Sequence, residues 1–231
     1  SVWDDIIGQP RVVGFLRGVI ETGTVSHAYL FVGMPGAGKK TTARSFACAL
    51  FCGDCCGTCG ACTRVKRGTH PDVHIIEPEG AGGYVAAQVR ELVRDVNLAP
   101  IEGPRKVYII ESADSFNDAS ANALLKTLEE PPADVVFILL AHAVDLVPPT
   151  IVSRCQVVRF RRLAPSAAIR ELVAISGAGE EEAAIALAAA GGVIVRARDF
   201  LASPGRRVAR MRILRALDDL PTGDDLDVLT A

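Results

Sequence analysis

Two lysines in a glycine-rich loop, a Glu-Ser pair after an apolar run, and a tight group of cysteines are the residues here whose types and spacing could do chemistry. The loop is Gly33-Met-Pro-Gly36-Ala-Gly38-Lys39-Lys40, placed between a β-rich run and a helical pattern. In that context backbone N–H groups and a helix N-terminus can cradle a phosphate, with Lys39 supplying charge. The position after Lys39 would ordinarily carry a Ser or Thr hydroxyl on Mg²⁺, and here it is Lys40. A protonated lysine has no lone pair to give a cation and competes with one through its own charge. Thr41 is no substitute, because the next helical residue points about 100° away. ATP or ADP without metal remains a possible ligand of Gly33, Gly36, Gly38 and Lys39, and efficient hydrolysis is not expected.

The same expectation comes from Val107-Tyr-Ile-Ile-Glu111-Ser112-Ala-Asp114. A working phosphate-loop ATPase needs an Asp for the metal shell and then a carboxylate that polarises water. Glu111 holds the first place and Ser112 the second. Serine cannot act as that base, a role typically worth about 10²–10⁴-fold in rate. A plainer reading, in which Glu111 and Asp114 cap a strand and start a helix, also predicts no catalysis.

Seven cysteines are present, six of them between Cys48 and Cys62. Cys52-x₃-Cys56-x₂-Cys59-x₂-Cys62 offers four thiolates over eleven residues, with Gly57 and Gly60 allowing tight turns. In a reducing compartment such a cluster points to metal rather than disulfides. Four sulfurs suit a closed, tetrahedral, structural Zn²⁺ site. Cys55 could replace Cys52 or Cys56, and spacing does not choose. Cys48, one turn earlier in an apolar helix, is expected as a small core residue.

These groups need a scaffold. Near-continuous apolar runs at Tyr29–Val32, Val73–Ile76, Val107–Ile110 and Val135–Leu140, and a more amphipathic one at Gln156–Phe160, predict parallel strands buried on both faces. Between them Arg11–Glu21, Lys40–Phe51, Ala86–Asn97 and Ala119–Glu130 carry apolar residues at helical spacing, the last stopped by Pro131-Pro132. Strands alternating with helices predict an α/β three-layer sandwich around a parallel five-stranded sheet. After Arg162 the pattern changes to short Ala-rich helices. The expected domains are 1–163 with the metal module at about 52–62, a small helical lid at 164–204, and the start of a helical collar segment at 205–231.

Composition narrows the partners. Of 231 residues 49% are apolar and 23% charged, enough for a large core. A net charge of −2 argues against a free-standing nucleic-acid binder. The apolar run Val135–Ala141 is far shorter than the roughly 20 residues of a membrane span. With no basic-then-apolar leader at Ser1, the expectation is a cytoplasmic chain without membrane partners. The missing initiating Met and the end at Ala231 suggest a partial chain.

Taken together, these segments resemble the bacterial clamp-loader subunits of the AAA+ class over about Trp3 to Arg162. The resemblance is carried by Asp5-Ile-Ile-Gly-Gln9, the phosphate loop, the four-cysteine insert, Ala121-Asn-Ala-Leu-Leu-Lys-Thr-Leu-Glu-Glu-Pro-Pro132 and Ser153-Arg154-Cys155. It implies a subunit of the DNA polymerase III holoenzyme, working with tau/gamma and delta subunits to load a sliding clamp on primed DNA. Lys40, Glu111-Ser112 and Gly68-Thr-His-Pro-Asp72 resemble the non-hydrolysing delta-prime branch, acting as a rigid stator. The ATP-hydrolysing tau/gamma branch is the alternative. The family's sensor Thr or Asn aligns with Ala141 and His142. Ser153-Arg154-Cys155 resembles the motif whose Arg154 would reach a neighbour's ATP in trans, the plainer role for Arg154 being a structural ion pair. Arg196 and Arg198 lie near the family's second sensor arginine at the wrong spacing and are not assigned.

Elsewhere, His70 and Asp72 are expected to shape a turn, Trp3 to anchor the N-terminal segment, and Cys155 to pack beneath its loop. Arg159, Arg161 and Arg162 suit either a phosphate or a solvated edge. Gly205–Arg212, the most basic stretch, is expected to touch DNA modestly at most.

Overall fold

The structure, a computed structural model, describes residues 1–80 and 82–202. It divides into two units, one from Ser1 to Ala164 and one from Pro165 onward. Expectations for the collar segment and the basic Gly205–Arg212 stretch lie outside the described residues.

The first unit is built on five parallel strands: β1 (Ala28–Val32), β2 (Val73–Ile76), β3 (Lys106–Ile110), β4 (Val135–Ala141) and β5 (Gln156–Arg159). Their spatial order is β2-β3-β4-β1-β5. β1, β3 and β4 are buried along their whole length, whereas the edge strand β5 is largely exposed apart from Val158. This explains the unbroken apolar character of the central strands and the mixed character of the edge.

Side chains alternate between the two faces. Tyr29, Phe31, Val107, Ile109, Val136 and Ile138 enter one core with Val12 and Leu16 of α1 (Pro10–Thr22), Phe46 and Leu50 of α2 (Lys39–Phe51), and Val65 of α3 (Gly60–Arg67). Leu30, Tyr108, Ile110, Phe137 and Leu139 enter the other with Val89 and Leu92 of α4 (Ala86–Val96), Leu124 and Leu128 of α5 (Asp118–Glu129), and Ile151 of α6 (Pro149–Val152). Each such side chain contributes about 1.5–3 kcal/mol on burial. The result is the expected helix–sheet–helix sandwich.

Local signals set the helix ends. Pro10 at the first turn suits α1, and Gly23 in the left-handed region closes it. α5 starts with a reciprocal capping box between Asn117 and Ser120 and stops before Pro131-Pro132. α3 falls within and just beyond the cysteine run. Cys62 and Val65, three residues apart, are buried, and Gly68 provides its left-handed end.

From Pro165 the described residues form α7 (Pro165–Ser176), α8 (Glu180–Ala189) and α9 (Ile194–Leu201). These pack on one another through small and branched side chains, including Ala168, Leu172, Ala183, Leu187, Ile194 and Leu201. Among the described residues no helix is long and apolar enough to cross a membrane.

Candidate nucleotide pocket and metal module

Parallel register brings the C-terminal ends of all five strands to one edge of the sheet, the side on which ligands of such folds bind. Val32 pairs with Ala141, Ile110 with Leu139, and Ile76 with Ile110. The glycine loop after β1, Glu77 after β2, Glu111 after β3 and His142 after β4 therefore share that edge. Gly36 and Gly38 have φ of 79° and 92°, which lets the loop fold back and open α2 with its N–H groups at the turn. A Cβ at Gly33 would lie 2.8 Å from the carbonyl oxygen of Phe160, so the loop sits hard against the chain leaving β5.

Gln9 fastens this arrangement. Its amide Nε2 donates to the carbonyls of Ala37 (3.2 Å) and Arg161 (2.6 Å), and its Oε1 accepts from the Arg161 N–H at 3.3 Å. One buried side chain thus joins the N-terminal segment, the loop and the β5 exit. The Asp5–Gln9 motif was legible in the sequence, but this cross-tie was not, because its partners are backbone groups up to 152 residues away.

The charged groups of the pocket are paired internally. The Lys39 ammonium donates to the carbonyls of Gly33 and, at 3.1 Å, Met34. Burial lowers its pKa, with the Asp114 carboxylate opposing. The Lys40 ammonium forms ion pairs with Glu111 and, at 3.4 Å, with Glu77. Asp114 accepts from the His142 backbone N–H at 3.3 Å, and its other oxygen lies 2.7 Å from His142 Nδ1. Burial pushes the Asp114 carboxyl up, but the hydrogen bonds centred on His142 prevail and hold it below its usual range. Ser112 occupies the left-handed region at φ 51°, a conformation costing a non-glycine residue about 1–2 kcal/mol. Tyr84, stacked on Phe116, brings its hydroxyl within 2.8 Å of the Ile76 carbonyl and 2.6 Å of the Glu111 carbonyl, steadying both strand ends.

These residues do not fit a magnesium ion. The place of the ligating hydroxyl holds an ammonium, and that ammonium sits on the carboxylate that would join the metal shell.

Arg154 follows α6, next to the turn that leads into β5. Its guanidinium donates to the carbonyl of Thr150 (2.7 Å) and to Ser153 Oγ (3.1 Å), and pairs with Glu129 at the end of α5. Both members of that pair remain partly exposed. Cys155 beside it is half-buried, and burial pushes its thiol up to about 12.

The cysteine insert gathers as a separate centre. The sulfurs of Cys52, Cys56, Cys59 and Cys62 lie within 4.8 Å of one another, and Cys52 and Cys56 are 3.6 Å apart. Tetrahedral coordination at about 2.3 Å per sulfur requires sulfur separations of about 3.8 Å. The donor set therefore fits a metal ion such as zinc. Cys56 Sγ accepts from the N–H groups of Thr58 (3.4 Å) and Cys59 (3.3 Å), which favour its thiolate and bring its pKa to about 6. Cys55 stands outside the four. Its backbone has φ 47°, and its carbonyl receives the Val2 N–H at 2.9 Å, fastening the chain start to the module. Trp3 is buried nearby under the Arg17 guanidinium, 5.8 Å from the ring centre. Cys48 is fully buried in the core.

Asp72 is fully buried and accepts from the N–H groups of Ile101 (2.6 Å), Glu102 (3.0 Å) and Gly103 (2.7 Å). His70 packs against Phe51 with the rings tilted and their centres 4.3 Å apart, and it accepts the Asp72 N–H through Nδ1. The Gly68–Asp72 run therefore shapes a loop. Arg159, Arg161 and Arg162 are exposed, as is Arg196, while Arg198 pairs with Asp199.

A family model described as DNA polymerase III, delta subunit, matches residues 8–164, well over half of the chain. This chain belongs to the DNA polymerase III clamp-loader subunit family. DNA polymerase III subunit delta' of Bacillus subtilis is 39% identical over 163 residues, covering 69% of this chain and 49% of the relative. Subunit gamma of Buchnera aphidicola is 40% identical over 156 residues, covering 65% and 43%. Subunit tau of Bacillus subtilis is 36% identical over 172 residues, covering 72% and 30%. This clamp-loader family chain thus spans about half or less of the length of these relatives. Among solved structures, the RuvB Holliday junction branch migration motor of Thermotoga maritima superposes with a TM-score of 0.57 at 18% identity, covering 92% of this chain and 65% of that one. That likeness bears on the fold, which is the AAA+ phosphate-loop type.

Proposed function

We propose that this chain is a delta-prime-like subunit of the bacterial replicative clamp loader, one that does not hydrolyse ATP itself and supplies Arg154 to the ATP site of a neighbouring subunit. One observation carries the reading: the Lys40 ammonium rests on Glu111, where a magnesium shell would form. Ser112, in place of a water-activating carboxylate, agrees with it. Relatives named delta' and gamma are 39% and 40% identical, so overall similarity does not separate the branches, and the reading is supported by the pocket chemistry.

In this reading Arg154 acts outward. An arginine supplied in trans neutralises charge on a transferring phosphoryl group and is worth about 10³–10⁵ in rate. Its pairing with Glu129 is an exposed, exchangeable contact that a neighbour's phosphates can replace. The partners are tau/gamma and delta subunits, with the sliding clamp and primed DNA engaged by the assembly. Cys52, Cys56, Cys59 and Cys62 hold a structural Zn²⁺ that stiffens the N-terminal half of the first unit. A cytoplasmic location follows from this role.

The test is reconstitution with gamma-type and delta subunits, followed by ATP hydrolysis and clamp-loading assays. The chain alone is expected to show only background Mg-ATP turnover, and Arg154→Ala to depress hydrolysis only in the assembly. Turnover by the chain alone that disappears with Lys39→Ala would establish the tau/gamma-type alternative instead.

A further inference from the structure

The pocket pairs its acids without a metal. Glu77 and Glu111 end adjacent strands, and one ammonium, that of Lys40, serves both. The third carboxylate, Asp114, is engaged by His142. Lys39 is bound instead to two carbonyls of its own loop and to no carboxylate. A di- or triphosphate arriving at this loop meets the Lys39 charge and the N–H groups at the start of α2, with the charge of Glu77 and Glu111 behind them partly offset by Lys40. In a magnesium-dependent pocket the metal performs that role and bridges carboxylate to phosphate. Here a divalent ion would have to displace, or sit beside, a fixed positive charge.

We propose that this pocket is a metal-independent polyphosphate site in which Lys40 is a tethered counter-ion, so that it takes the free anion of a nucleotide diphosphate or triphosphate rather than its magnesium complex. The proposal rests on the reading of the pocket as one that has lost its magnesium shell. It adds a ligand class and an inverted metal dependence. Lys40→Thr would leave Glu77 and Glu111 bare, and two uncompensated carboxylates repel polyphosphate unless a cation is supplied.

Isothermal titration of the zinc-loaded chain with ADP, and separately with pyrophosphate, tests this. The buffer is stripped of divalent metal on a resin beforehand, because a soluble chelator would attack the cysteine site. Binding is expected without magnesium and is weakened severalfold by millimolar magnesium. Lys39→Ala weakens it about tenfold or more, the scale of losing a charged hydrogen bond. Lys40→Thr weakens metal-free binding about tenfold and magnesium then restores it, while Lys40→Arg keeps the metal-free affinity. Tighter ADP than pyrophosphate binding identifies a nucleotide pocket, and equal binding a general polyphosphate pocket; both support the proposal. Binding that requires magnesium in the unaltered chain, indifference to Lys40→Thr in a variant with unchanged circular dichroism, or no binding of either probe overturns it. The last outcome leaves the proposed function intact, since a passive donor of Arg154 needs no ligand of its own. That function fails on a different result, Mg-ATP turnover by the chain alone.

Discussion

The ammonium of Lys40, in the first turn of α2, is ion-paired with the carboxylate of Glu111 at the end of β3. The two lie 71 positions apart, and the parallel strands β1 and β3, with β4 between them, bring them to one edge of the sheet. A residue that spoils a metal site by its type is here also the partner of the acid that the metal would have used.

Restoring the hydroxyl alone will not restore catalysis. Lys40→Thr reopens a magnesium position, but Ser112 still lacks the carboxylate that polarises water, a deficit of about 10²–10⁴-fold. Phosphate release from Mg-ATP by this variant is expected to stay at background. A rate near that of a gamma-type subunit would show that another residue serves as base.

The metal module should behave as a closed structural site. One zinc per chain is expected by elemental analysis, and Cys59→Ser should release it and lower the melting temperature. Cys55→Ser should retain the metal, because Cys55 contributes its backbone carbonyl to the chain start and stands outside the four gathered sulfurs. Zinc loss from Cys55→Ser together with retention in Cys52→Ser would reassign the ligand set.

Arg154 and Glu129 make a partly exposed pair, of a kind worth about 0–1 kcal/mol. Glu129→Gln should therefore shift the thermal midpoint little. In the assembled loader Arg154→Ala should slow the neighbouring site by about 10³-fold or more, with Arg154→Lys a poor rescue because lysine lacks the planar fork. Glu129→Gln should preserve that rate. Loss of rate in Glu129→Gln would mean that the pair positions the arginine.

Acid should weaken the first unit in a definite window. Burial raises the carboxyls of Asp72 and Asp95, but three backbone N–H groups on the first, and the Tyr108 hydroxyl with the Lys106 ammonium on the second, outweigh it and hold both below the usual range. Such a group binds fewer protons folded than unfolded. Its stabilisation is complete above the unfolded value near ~3.9 and is lost as pH falls through the folded value. Denaturation midpoints should fall steeply below about pH 4. Asp72→Asn should cost about 2 kcal/mol at neutral pH, or about 4–8 °C, and flatten that acid limb. An unchanged limb in Asp72→Asn would assign the effect to other carboxyls.

Legibility differed by kind of signal. The five apolar or amphipathic strand runs and Pro131-Pro132 are local patterns, and β1, β3, β4 and α5 fall within a residue or two of them. α3 was missed because its apolar positions are a cysteine and a valine inside a run already read as metal ligands. The cross-tie made by Gln9 and the loop fixed by Asp72 depend on backbone donors and acceptors far along the chain, which carry no side-chain signature.

The sequence by itself determined residue chemistry and local periodicity: a phosphate loop with a lysine in the hydroxyl's place, a serine where a base belongs, four thiols at metal spacing, and an α/β alternation. The tertiary structure alone decided pairing. Strand order β2-β3-β4-β1-β5 set Glu77, Glu111, Asp114 and His142 around one loop and gave Lys40 its acid. It also gathered Cys52 rather than Cys55 and placed Glu129 against Arg154. Side-chain type is written residue by residue, whereas which charge meets which depends on the register of strands distant in sequence.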